Sequence, residues 1–144
     1  FRKCSALTTL ADLEDLNTSK LTNLNSAFYL DKKLTDISVM ETWDTSQVTT
    51  LEGTFQDCTI LPSIAPLANW DTSKVTTMYN TFAGDYGLTT GKEIENWNLT
   101  KCSNFKQIFG YTNVCQNIDL LPWTTKGTWD TSTNRYKNGT FTKN

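Results

Sequence analysis

The side chains able to do chemistry in this chain begin with four cysteines, Cys4, Cys58, Cys102 and Cys115. No pair has the C-x-x-C spacing of a zinc or redox site, and the sequence holds no histidine to complete a metal centre. An even count in a Thr-rich chain reads as up to two disulfides. The alternative is buried free thiols acting as small apolar residues. Carboxylates gather at Asp12, Glu14 and Asp15, and again at Glu93 and Glu95. Neither group has a histidine, a glycine-rich loop or a nucleophile motif beside it, so a solvated charged face is the better reading. The expectation is a non-enzymatic protein with no cofactor, no catalytic residue and no metal site. Three sequons remain, Asn17-Thr18-Ser19, Asn98-Leu99-Thr100 and Asn138-Gly139-Thr140, each a candidate for N-glycosylation.

What must position these residues is a repeat. Trp43-Asp44-Thr45-Ser46-Gln47-Val48 returns 27 residues later as Trp70-Asp71-Thr72-Ser73-Lys74-Val75, and Trp97-Asn98-Leu99-Thr100-Lys101-Cys102 follows at the same step. Leu16-Asn17-Thr18-Ser19-Lys20-Leu21 fills the frame upstream. Phe1, Phe28, Phe55, Phe82 and Phe109 keep the same beat, as do Leu7, Leu34, Leu61 and Leu88. Such self-similarity marks a repeat architecture. Val48, Leu51 and Phe55 have the spacing of one helix face, with Asp-Thr-Ser before them as N-cap. Asp36–Met40 and Glu93–Trp97 alternate as strands do. The fold expected is therefore α/β, a leucine-rich-repeat-like solenoid of about five 27-residue coils with one parallel sheet and short helices. It reads as a single domain over 1–144, regular from about 7 to 110, with a degenerate C-terminal repeat at about 123–144.

The repeat frame refines the site residues. Asn17 and Asn98 occupy the slot of Asp44 and Asp71, a turn whose side chain should face solvent. Asn there is open to a glycan, or stands in for Asp as turn and cap residue. Stacked Asp44, Asp71 and Asp130 raise the thought of calcium, which the intervening Asn residues weaken. Trp43, Trp70 and Trp97 form a row that reads as packing rather than as a ligand platform. Cys102 and Cys115 lie within one unit and are the preferred disulfide. Cys4 and Cys58 share a slot two coils apart, roughly 10 Å against a limit of about 7 Å, and pair only where the first coil is irregular. One of them could instead bond another chain.

The unit resembles the BspA-like leucine-rich-repeat surface proteins, in the variant reading Trp-Asp-Thr-Ser-x-Val-Thr-x-Met with a phenylalanine four residues on. Trp43 to Phe55 and Trp70 to Phe82, the latter with Val75-Thr76-Thr77-Met78, carry the likeness best. The resemblance implies a secreted or surface-anchored, non-catalytic protein that adheres to or binds other macromolecules.

Bulk properties agree. A net charge of −2 gives no pull toward nucleic acid or an anionic membrane, and no apolar run approaches a membrane span of about 20 residues. Abundant Thr and Ser with only 13 Lys and Arg suit an extracellular surface. Phe1 falls in mid-repeat, so its coil either stacks on another copy, head to tail, or continues within a longer surface protein. The function expected is a structural or adhesive scaffold, as a filament subunit or as an adhesin module that binds a ligand. Its partners are other copies of itself or extracellular macromolecules.

Overall fold

The computed structural model describes residues 1–116, 122–123, 129–130 and 135–136. Among them there is no α-helix and no parallel sheet. The expected α/β solenoid, with its sheet and short helices, is thereby corrected. Strand-like Asp36–Met40 gives way to a 3-10 turn at Ser38–Thr42, and Glu93–Trp97 is preceded and overlapped by another at Lys92–Ile94. Two more 3-10 turns, Ala11–Leu13 and Ala65–Leu67, occupy the same slot of their units, and a fifth lies at Val114–Gln116. Parallel pairing is one residue wide, as bridges Thr9 to Asp36 and Asn23 to Thr50 to Thr77 to Asn104. Among the described residues there are two strands, β1 (Trp129–Asp130) and β2 (Arg135–Tyr136). They pair antiparallel, Trp129 with Tyr136 and Asp130 with Arg135.

Instead of helix and strand the chain runs as a succession of tight turns. Val48 N–H donates to Thr45 O, Thr54 to Leu51, Gln56 to Gly53, Cys58 to Phe55 and Leu61 to Cys58, each three residues back, at 2.9–3.2 Å. The residues between them donate outward to the next unit. Leu24, Ser26, Phe28 and Leu30 N–H reach Thr50, Glu52, Thr54 and Gln56 O at 2.9–3.2 Å. Alternation between turn and neighbour satisfies the backbone without a regular ladder.

Turning this way requires left-handed backbone at fixed places. Ser26, Gly53, Asn80 and Gln107 (φ 54–58°) fill one slot, and Lys3, Leu30, Asp57, Gly84 and Tyr111 (φ 60–78°) another. Most are not glycine, so stacking holds a conformation that L-residues resist. Gly84 is the demanding case, because a Cβ there would lie 2.3 Å from Asp57 Oδ1. Gly84→Ala is expected to lower stability by about 1–3 kcal/mol, read as a lower urea midpoint by tryptophan fluorescence. An unchanged midpoint would refute the constraint.

One side chain per turn points inward. Val48, Leu51, Phe55, Cys58, Leu61, Ile64, Leu67 and Trp70 are all buried. Their spacing is three residues throughout, with a single step of four before Phe55. That explains the failed helix. A helix has 3.6 residues per turn, so a three-residue period sustained over so many steps would spiral off any one face. Here the chain bends around the side chains instead.

The core is bound in columns running across the units. Phe1, Phe28, Phe55, Phe82 and Phe109 stack with ring centroids 5.3–5.7 Å apart and planes within 13°. Trp43, Trp70 and Trp97 stack at 6.2–6.4 Å, within 7°. Their indoles reach across units, Trp70 Nε1 to Met40 O at 2.9 Å and Trp97 Nε1 to Leu67 O at 2.8 Å. Trp123, one residue early in the sequence, meets Trp97 tilted by 36°. Buried Thr54 and Thr81 place a hydroxyl between carbonyls of their own and the preceding unit, at 2.8–3.0 Å.

Candidate functional site

The asparagine slot is a side-chain-closed turn. Asn17 Oδ1 accepts from Ser19 N–H at 3.0 Å and from the Ser19 hydroxyl at 2.7 Å. Asn98 Oδ1 accepts from the Thr100 N–H at 3.0 Å and from its hydroxyl. Asp44 and Asp71 receive Ser46 and Ser73 N–H at 2.9 Å in the same way. Asn and Asp are therefore interchangeable as turn residues here. Hydrogen bonds from the serine two residues on, from its hydroxyl first and its N–H second, hold the Asp44 and Asp71 carboxyls below the usual range. Asn17 is exposed and Asn98 half-buried, and in both the Oδ1 is engaged while Nδ2, the atom a glycan would take, makes no hydrogen bond among the described residues. Asn138 lies outside the described residues.

The cysteines are brought together nowhere. All four are free, so the expected Cys102–Cys115 disulfide is not formed, nor is Cys4–Cys58. The slots explain why. Cys102 stands where Val48 and Val75 stand, and Cys115 where Leu61 and Leu88 stand, all of them buried core positions. Each thiol donates within its own turn, Cys115 Sγ to Thr112 O at 2.9 Å and Cys102 Sγ to Asn104 O at 3.6 Å. Between Cys4 and Cys58 lies Asp31, whose Oδ1 accepts the Cys4 N–H at 2.6 Å, while Cys58 Sγ donates to Phe28 O at 3.1 Å. Burial, reinforced by the Asp85 and Asp31 carboxyls, drives the Cys58 thiol far up from its usual range, and burial lifts Cys102 to about 11. Only Cys4 is exposed. Iodoacetamide at neutral pH should therefore alkylate Cys4 within minutes and leave Cys58 and Cys102 untouched until urea is added. Rapid labelling of Cys58 in the folded protein would contradict its burial.

Cys4, Asp31, Cys58, Asp85 and Thr112 share one slot, three residues after each phenylalanine. Sequence reading paired only its cysteines and passed over the acids on either side of Cys58. Reading the whole slot at its 27-residue step would have exposed a polar column inside the core. Asp31 and Asp85 are fully buried, and neither oxygen of Asp85 has a hydrogen-bond partner among the described residues. Desolvation raises both carboxyls, that of Asp85 well above the ordinary value.

Trp43, Trp70 and Trp97 are core, exposed by 8% or less, and offer no surface platform. An aromatic does reach the surface elsewhere in the repeat. Half-buried Tyr79 lies in a shallow depression with Glu52, Asn104, Lys106 and Gln107. Glu52, Tyr79 and Lys106 are successive rungs of a single column.

A family model described as "Mycoplasma protein of unknown function, DUF285" matches residues 1–123. The chain belongs to this family. Its extent takes in all of the stacked phenylalanines and the tryptophans through Trp123. No curated protein and no solved structure matches the chain. In this DUF285 chain no helix of the described residues is long and apolar enough to cross a membrane.

Proposed function

We propose that this chain is a non-catalytic extracellular repeat unit, a structural or adhesive scaffold of the kind found among BspA-like surface proteins. One observation carries the reading: the aromatic positions that recur face inward, and one outward column changes from unit to unit. Phe28, Phe55, Phe82 and Phe109 are buried, as are Trp43, Trp70 and Trp97, while the column three residues before each phenylalanine runs Asn25, Glu52, Tyr79, Lys106. A constant core beneath a varied face is what a scaffold presenting a recognition surface requires. Membership of the DUF285 family is compatible with this and names no activity. The free Nδ2 of exposed Asn17 supports glycan attachment there, and the same chemistry extends to Asn98 and Asn138.

Adhesin and filament subunit are two forms of this reading. The polar depression around Tyr79 favours the adhesin. Mass spectrometry and light scattering of the natural protein, before and after enzymatic deglycosylation, test both forms. Mass excesses at Asn17, Asn98 or Asn138 in large assemblies would establish a glycosylated polymer. An unmodified monomer that binds cells would establish the adhesin. A monomer that binds neither cells nor matrix would end the proposal.

A further inference from the structure

We infer that the depression around Tyr79 is a carbohydrate-binding subsite, which rests on the adhesive reading above and gives it a ligand class. Tyr79 presents an aromatic ring at the surface, half-buried and so held in place. A ring in that setting stacks against the apolar face of a pyranose. Around it stand a carboxylate (Glu52), two amides (Asn104 and Gln107) and an ammonium (Lys106). Acceptor oxygens and donor N–H groups at close range are the inventory that pairs of sugar hydroxyls need. Among the described residues, the Glu52 carboxylate and the Lys106 ammonium make no hydrogen bond or ion pair, although one rung alone separates them. Both heads are therefore available to a ligand.

The backbone argues against an extended peptide here. A peptide adding as a strand needs open N–H and C=O groups. On the floor of the depression these are consumed between units, Gly53 N–H to Tyr79 O at 2.8 Å and Asn80 N–H to Lys106 O at 3.1 Å. Only ring and side-chain heads remain, so recognition runs through them. The rungs are 5.3–5.7 Å apart, judged by the phenylalanine column. That step is close to the length of one sugar ring, so neighbouring residues of a glycan chain meet successive rungs.

The test uses the full chain against a printed panel of neutral, N-acetylated and sialylated oligosaccharides, followed by calorimetry with the best soluble tetrasaccharide. Binding is expected, weakened about tenfold or more by Tyr79→Ala and less by Glu52→Gln or Lys106→Ala. Tyr111→Ala, at an exposed tyrosine outside the depression, serves as control and leaves it unchanged. Urea midpoints of all variants establish that they fold. Absence of binding across the panel overturns the inference, as does binding that survives Tyr79→Ala. Adhesion to cells that persists undiminished after their glycans are stripped enzymatically overturns the inference too, yet leaves the adhesive scaffold standing. Loss of adhesion to every surface would remove both.

Discussion

Phe55→Ala should lower the stability of the folded chain by about 3–5 kcal/mol, a large part of the 5–15 kcal/mol that holds a typical domain. Phe55 is completely buried and stacks on both faces, against Phe28 at 5.3 Å and Phe82 at 5.7 Å. Truncation removes the ring from water-free packing and leaves a cavity whose walls are the rings of two other units. Those walls are fixed by the backbone bonds between units, so collapse into the gap is limited. Phe1 is the internal comparison. It stacks on Phe28 alone and is 53% exposed, and its truncation should cost under about 1 kcal/mol. Urea unfolding followed by tryptophan fluorescence measures both. Equal costs would mean that the column is not what holds the units together.

A second large effect has the opposite sign. Asp85→Thr, copying the residue that fills the slot in the next unit at Thr112, should raise stability by about 1–3 kcal/mol near neutral pH. Asp85 is fully buried, and neither carboxyl oxygen has a partner among the described residues. Desolvation raises its pKa well above the ordinary value, and the Asp57 carboxylate adds to the rise. The Cys58 N–H, donated to Phe55 O, pulls the other way by more than Asp57 adds, and desolvation outweighs it. With the folded pKa above the unfolded one, the folded state binds the proton more tightly. The stability linked to it is complete below the unfolded value of about 3.9 and is lost as pH rises through the folded value. Asp36, Asp44 and Asp71 act in the reverse sense, since hydrogen bonds lower their pKa values. Their contribution is present above the unfolded pKa and is lost as pH falls through the folded one. Asp44 and Asp71 are exposed and Asp36 is half-buried at the surface, so they contribute little. Unfolding midpoints should therefore climb from neutral pH toward the unfolded carboxylate range and then decline. In Asp85→Thr the climb should shrink, and a variant with the full climb would show that another group drives it.

Some of this was legible in the amino-acid order and some was not. The 27-residue step of Phe28, Phe55 and Phe82 is an actual contact distance, because each ring lies on the next. Trp70 and Trp97 were rightly read as packing rather than as a platform. The secondary structure was not legible. Val48, Leu51 and Phe55 satisfy a helix template over a short window, and only the continued three-residue beat through Trp70 distinguishes turns from helix. Left-handed residues such as Asn80 and Gln107 carry no glycine signal, since stacking rather than residue type imposes the conformation. The cysteines were misread by counting within one unit. Compared across units, Cys102 replaces a valine and Cys115 a leucine. The Tyr79 depression was invisible because its members come from different units and form no motif in one of them.

Alternation of hydrogen bonds between turn and neighbouring unit has a spectroscopic consequence. Circular dichroism in the peptide region would register little helix or sheet and would portray this chain as largely unstructured. Amide hydrogen exchange would tell the opposite story. N–H groups such as those of Leu24, Phe28 and Leu30, donated to the adjoining unit, open only when units separate. Protection should therefore recur along the sequence with the period of the repeat, and the order that one technique misses would be mapped residue by residue by the other.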